Sequence, residues 1–122
     1  MQKRNFIRNA AVTVLAASLG LAWAQDNTFK IGLLLPLTGP FASTGKQLES
    51  AARLYIAQNG ATVGGKKVQL IVKDDTGVAD VSKRLAQELV VNEKVNVLAG
   101  FGLTPLALAT APIATQDRKS VV

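Results

Sequence analysis

Residues 38–47, TGPFASTGKQ, place two glycines and a lysine close to the glycine–lysine pattern of a phosphate-binding loop. In such a loop successive backbone N–H groups cradle the phosphates, and a Ser or Thr after the lysine ligates Mg²⁺. Here Gln47 stands where that hydroxyl is required, and Pro40 removes one N–H. The stretch therefore reads as a strand-to-helix turn, with Ser43 or Thr44 capping the helix that follows. A second stretch, GFGLTPLA at residues 100–107, carries different chemistry. Thr104 as N-cap with Pro105 at the first helical position marks a helix start. The first turn of a helix offers unpaired N–H groups and a partial positive charge, and both suit a carboxylate. Gly102 lets a ligand approach the backbone, Thr104 adds a hydroxyl, and Leu106 and Ala107 carry the next N–H donors. Phe101 either stacks on a ligand or covers the sheet end. Asp74-Asp75 is an acidic pair without a third oxygen donor, and it reads as a turn whose carboxylates accept local backbone N–H bonds.

The chain contains no cysteine and no histidine. That removes Cys/His zinc sites, a Ser-His-Asp triad, a cysteine nucleophile and the lipid-bearing cysteine of a bacterial lipoprotein. No catalytic group, metal or cofactor is expected. Lys3, Arg4 and Arg8 precede an uncharged, mostly apolar stretch from Ala10 to Ala22, and Ala22-Trp23-Ala24 has the small residues of a cleavage site. Residues 1–24 read as a secretory signal peptide, since the apolar stretch falls short of the roughly 20 residues a spanning helix needs. The remainder is expected in the periplasm and not embedded in the membrane. The formal net charge of +6 is partly the signal's; from Gln25 onward, 11 Lys+Arg face 8 Asp+Glu. The basic residues are scattered and aromatics are few, so no nucleic-acid partner is expected.

Three apolar runs and three amphipathic stretches must position these residues. Phe29–Leu35, Lys67–Lys73 and Val95–Ala99 read as strands, the first buried on both faces. Residues 44–59, 79–92 and 105–116 read as helices, with Leu48, Tyr55, Leu85 and Leu89 on their core stripes. Gly64-Gly65 makes a tight turn into the second strand. The order β-α-β-α-β-α implies an α/β fold of three layers, a parallel sheet with helices on both faces, and right-handed crossovers. In such sheets ligands bind at the carboxyl ends of the strands, where residues 36–44 and 100–107 both fall. After a polar loop at residues 117–120, Val121-Val122 opens a further apolar run. The chain therefore reads as a fragment, its strand at Val95–Ala99 a vulnerable open edge.

Taken in order, FKIGLLLPLTGPFASTGKQLESAARLYIAQNG, GGKKVQLIVKDDTG and VNVLAGFGLTPLALATAPIA resemble the periplasmic solute-binding proteins of branched-chain amino acid ABC transporters, the leucine-binding-protein-like group of type I periplasmic binding proteins. The resemblance implies two α/β lobes joined by a hinge, with residues 25–122 forming the first half of the N-terminal lobe. It implies a monomeric receptor that hands a small carboxylate solute to an ABC permease in the inner membrane. It places Thr104 at the hydroxyl position that meets the ligand carboxylate, Thr44 at a cleft-facing position, and Phe41 beside it. Pro105 and Leu106 stand where the group often has further Ser or Thr, which opens the site to a bulkier carboxylate such as an aromatic acid. A ligand-sensing receptor ectodomain of the same fold is the alternative, ahead of a periplasmic hydrolase or nucleotide-binding protein.

Overall fold

The structure, a computed structural model, describes residues 27–117 and 120–121; the expected signal peptide lies outside them. In chain order the elements are β1 (Thr28–Leu35), α1 (Ala42–Asn59), β2 (Thr62–Val63), β3 (Lys66–Asp74), α2 (Ala79–Val91), β4 (Val97–Gly100), α3 (Thr104–Gln116) and β5 (Ser120–Val121). They form one sheet in the order β2-β3-β1-β4-β5. The unbroken apolar run of β1 fits its place at the centre, where neighbours on both sides and helices on both faces leave no room for polar alternation. It pairs in parallel with β3 from Thr28↔Lys67 to Leu35↔Asp74, and with β4 from Ile31↔Val97 to Leu34↔Gly100.

The connection through α1 leads from β1 to β3 on one side, and that through α2 crosses back over β1 to β4 on the other. Right-handed crossovers then set α1 on one face of the sheet and α2 with α3 on the opposite face. On the α2/α3 face, Leu34 packs with Leu85, Ala86, Leu89, Val90, Val95, Leu98, Phe101, Leu106 and Ala114. Gly32 belongs to this face as well. A Cβ there would lie 3.1 Å from side-chain carbons of both Leu89 and Leu98, so its small size lets the helix layer close on β1.

Several expectations are corrected. The sheet is mixed, because β2 pairs antiparallel with β3 through Thr62↔Lys67 and Val63↔Lys66. The turn between them is at Gly64-Gly65, both with positive φ, the conformation of a two-residue type I′ hairpin. The third expected strand is shorter and starts two residues later, and it is no open edge, since β5 pairs beside it through Val97↔Ser120 and Leu98↔Val121. Val95 is instead a buried turn residue, tied by its N–H to the Leu89 carbonyl at 3.1 Å. Leu85 and Leu89 are buried as expected, but Leu48 is 46% exposed and Tyr55 is 67% exposed. The better-covered residues of α1 are Ala42, Gly45, Glu49, Ala52 and Ile56, a stripe rotated from the expected one. The helix also starts two residues early, with Phe41 at N-cap and no side-chain cap from Ser43 or Thr44.

Candidate functional site

The carboxyl ends of β1, β3 and β4 lie side by side, so the loops that follow them, residues 36–41, 75–78 and 101–103, meet at one edge. Backbone fit draws them together. A Cβ on Gly102 would lie 2.8 Å from the Pro36 ring, so the third loop rests directly on the first. A Cβ on Gly77 would be 3.5 Å from Phe41 and 3.8 Å from Leu103, which brings all three loops to one point.

Asp74 joins the first two loops chemically. One carboxylate oxygen accepts the N–H of Leu37 at 2.8 Å, of Thr38 at 3.3 Å and of Thr76 at 2.9 Å. The other accepts the Thr38 hydroxyl at 2.6 Å. Partial burial pushes the Asp74 carboxyl up, but the hydrogen bonds from Thr38, Thr76 and Leu37 together outweigh it and leave the group below the ordinary carboxylate value. Asp75 is fully buried and accepts the N–H of Gly77 at 3.0 Å and the Ser82 hydroxyl at 3.1 Å. The pair is thus a turn, as the sequence suggests, with one addition: Asp74 also reaches across to the preceding loop. Thr38 and Leu37 were missed as its partners because they lie 36 and 37 residues away.

The structure distributes the five candidate ligand residues unequally. Thr104 is exposed and is the first residue of α3 rather than its cap; Leu103 holds the N-cap position, and no side chain caps the helix. The Leu106 N–H, a candidate donor to ligand, donates to the Leu103 carbonyl at 3.0 Å. Phe41 is 44% exposed at the meeting point of the loops, and Thr44 is exposed in the first turn of α1. Gly102 is explained by its contact with Pro36. Phe101 is only 8% exposed, belongs to the core cluster, and holds a left-handed backbone at φ 57°; its N–H donates to the Leu34 carbonyl at 2.8 Å. Of the two roles open to it, its ring takes that of covering the sheet end.

The likeness to a phosphate loop dissolves on the same geometry. Five residues separate Gly39 from Gly45, one more than that pattern allows. Gly45 lies inside α1, buried against the Pro36 carbonyl. The Leu37 and Thr38 amides already serve Asp74.

In open α/β sheets ligands bind at the carboxyl edge, where three loops interlock in this chain. A family profile described as periplasmic binding protein matches residues 28–122, and the chain belongs to that family. A Leu/Ile/Val-binding protein homolog of Brucella abortus is 39% identical over 118 residues, spanning 95% of this chain and 30% of that protein. The chain thus spans about a third of the length of the curated relatives it matches. Among solved structures, a solute-binding protein of an ABC transporter from Rhodopseudomonas palustris BisB5, in complex with 3,4-dihydroxybenzoic acid, is 59% identical with a TM-score of 0.77, over 78% of this chain and 26% of that one. A second from R. palustris, in complex with 4-hydroxybenzoate, is 35% identical with a TM-score of 0.73, over 77% and 26%. A branched-chain amino acid binding protein from Streptococcus pneumoniae, in complex with isoleucine, is 22% identical with a TM-score of 0.72 over 77% and 28%, a likeness of fold alone. Among the described residues no helix is long and apolar enough to cross a membrane.

Proposed function

We propose that this chain is the first half of the N-terminal lobe of a substrate-binding component of an ABC transporter, exported to the periplasm by residues 1–24. Its loops at 36–41, 75–78 and 101–103 form one wall of a cleft that holds a small carboxylate solute, with Phe41, Thr44, Gly102 and Thr104 along the wall. The single observation that carries this reading is the amino end of α3. It opens at the exposed Thr104 without a side-chain cap, beside loops locked in place around it. Such an end turns a partial positive charge toward an anion, although Pro105 has no N–H and the Leu106 N–H is taken by Leu103. The solute is trapped by closure of a second lobe, then passed to a permease; no covalent chemistry is required.

Between an amino acid and an aromatic acid, two observations favour the aromatic acid. Pro105 and Leu106 follow Thr104 without further hydroxyls, and the two R. palustris relatives at 59% and 35% identity were solved with hydroxybenzoates. The test is calorimetric titration of the full-length protein with leucine, isoleucine, 4-hydroxybenzoate and 3,4-dihydroxybenzoate. One of the aromatic acids should bind with micromolar affinity or better, and Thr104→Val should weaken it by roughly tenfold, the worth of one hydrogen bond to a charged group. Binding of none of the four overturns the receptor reading; binding of leucine alone overturns the aromatic preference.

A further inference from the structure

A glycine-containing loop between a strand and a helix, with consecutive backbone N–H groups and a threonine hydroxyl turned the same way, is suited to cradling an anion. In this chain the first loop has that form, and the anion is supplied from within. The N–H groups of Leu37 and Thr38 and the Thr38 hydroxyl all converge on the Asp74 carboxylate, at 2.8, 3.3 and 2.6 Å. The Thr76 N–H completes the shell from the second loop at 2.9 Å. The ion pairs among the described residues are Arg53–Glu49 and Lys73–Glu88, so Asp74 is held by these neutral donors.

We propose that Asp74 is a positioning residue of the cleft wall: its carboxylate fills the anion cradle of residues 37–38 and thereby fixes the path of the loop that carries Phe41 into α1. The role in ligand capture rests on the receptor reading above; the filling of the cradle does not. Phe41 lies three residues beyond Thr38, and its ring stands 3.5 Å from the position of a Cβ on Gly77, which a Leu103 side-chain carbon approaches to 3.8 Å. Freeing the loop leaves Phe41 and Thr44 without a fixed relation to Thr104.

The experiment uses the full-length protein with Asp74→Ala, Asp74→Asn and Thr38→Val, and has two readouts. The first is hydrogen exchange of the Leu37 and Thr38 amides. Asp74→Ala should speed it by roughly ten- to a hundredfold, the loss of charge-assisted bonds. Sodium formate should slow it again in this variant, by entering the vacated cradle, where equimolar sodium chloride should not. Asp74→Asn and Thr38→Val, which keep the side-chain volume, should give intermediate exchange and guard against outright unfolding by the alanine. Unchanged exchange in all three variants, or formate acting equally on the unaltered protein, overturns the proposal. The second readout is affinity for whichever of the four acids binds the unaltered protein. It should fall at least about tenfold in Asp74→Ala while exchange in α2 is unchanged; full affinity together with fast loop exchange overturns the positioning role. If none of the four acids binds, the receptor reading fails while the exchange readout still decides whether the cradle is filled.

Discussion

Replacing Gly45 by alanine should destabilise the protein, although alanine is the better helix former. Gly45 is buried in the first turn of α1, where a Cβ would lie 2.0 Å from the Pro36 carbonyl oxygen and 2.7 Å from its carbon. Ordinary contact begins near 3.4 Å, so the helix or the strand end must retreat by more than an ångström. Neither moves freely. Pro36 is fully buried and wedged against Gly102, and α1 is anchored there by the Ala42 N–H to Gly39 carbonyl bond at 3.2 Å. Relief of helix-interior glycine is worth about 1 kcal/mol. Overpacking against fixed backbone costs at least about 3 kcal/mol, the upper part of the usual range. The net is a loss of about 2 kcal/mol, or a urea midpoint lower by about 1 M at a slope near 2 kcal/mol/M. Gly64→Ala is the comparison: nothing lies within 4 Å of its Cβ position, so only the left-handed backbone opposes it, at about 1 kcal/mol. A Gly45→Ala midpoint at or above that of the unaltered protein, with the slope unchanged, would refute the packing argument.

Three further outcomes can be measured. Because the folded Asp74 carboxyl sits below its ordinary value, its contribution to stability is complete above that value, about 3.9, and is lost as pH falls through the lowered one. Asp74→Asn should therefore flatten the acid limb of a stability–pH curve and leave its shape above pH 5 unchanged. Lys73 and Glu88 meet at 2.8 Å, which raises the ammonium and lowers the carboxyl, but both side chains are about a third exposed. A double-mutant cycle of Lys73→Met and Glu88→Gln should show a small coupling that vanishes in 1 M salt; coupling that persists there would mean the pair is better shielded than its exposure implies. Leu34→Ala, at a fully buried position in the core cluster, should cost about 2–5 kcal/mol, whereas Leu48→Ala, at a residue 46% exposed, should stay within about 0.5 kcal/mol; similar unfolding midpoints for the two would contradict the assignment of the core.

Much of the fold was legible because its strongest signals are local. The apolar run of β1 and the stripe of α2 each state their own burial. What was not legible depends on partners distant in sequence. In α1, Leu48 and Tyr55 share helical spacing with Ala52 and Ile56, and hydrophobicity alone cannot choose between the two faces. The covered face is the one that carries Gly45, where only a glycine fits against the Pro36 carbonyl, and a glycine contributes nothing to a hydrophobic pattern. The two-residue β2 and β5 are too short to show a period of two. At the edge, the chemistry of helix ends pointed to Thr104 and the family resemblance to Phe41, while the reach of Asp74 to Thr38 was invisible because only the pairing of β1 with β3 brings the two together.

The glycines at the carboxyl edge invite a reading as places where ligand approaches backbone, and the geometry argues against it for three of them. A Cβ on Gly100 would lie 2.4 Å from the Leu34 carbonyl oxygen, on Gly45 2.0 Å from the Pro36 carbonyl oxygen, and on Gly102 2.8 Å from the Pro36 ring. All three press upon residues 34–36, the end of β1. Their smallness is accounted for by the close stacking of α1 and the third loop on that strand end, with nothing left over for a ligand to require. On the receptor reading proposed above, ligand chemistry at this edge would come instead from the exposed residues beside the stacking: Phe41, Thr44, Thr104 and the amino end of α3. Those groups supply one apolar surface, two hydroxyls and a partial positive charge, a set suited to a small acid with an apolar body. None of these groups carries a formal charge, and the Asp74 carboxylate at the same edge is already taken up by the Leu37, Thr38 and Thr76 donors.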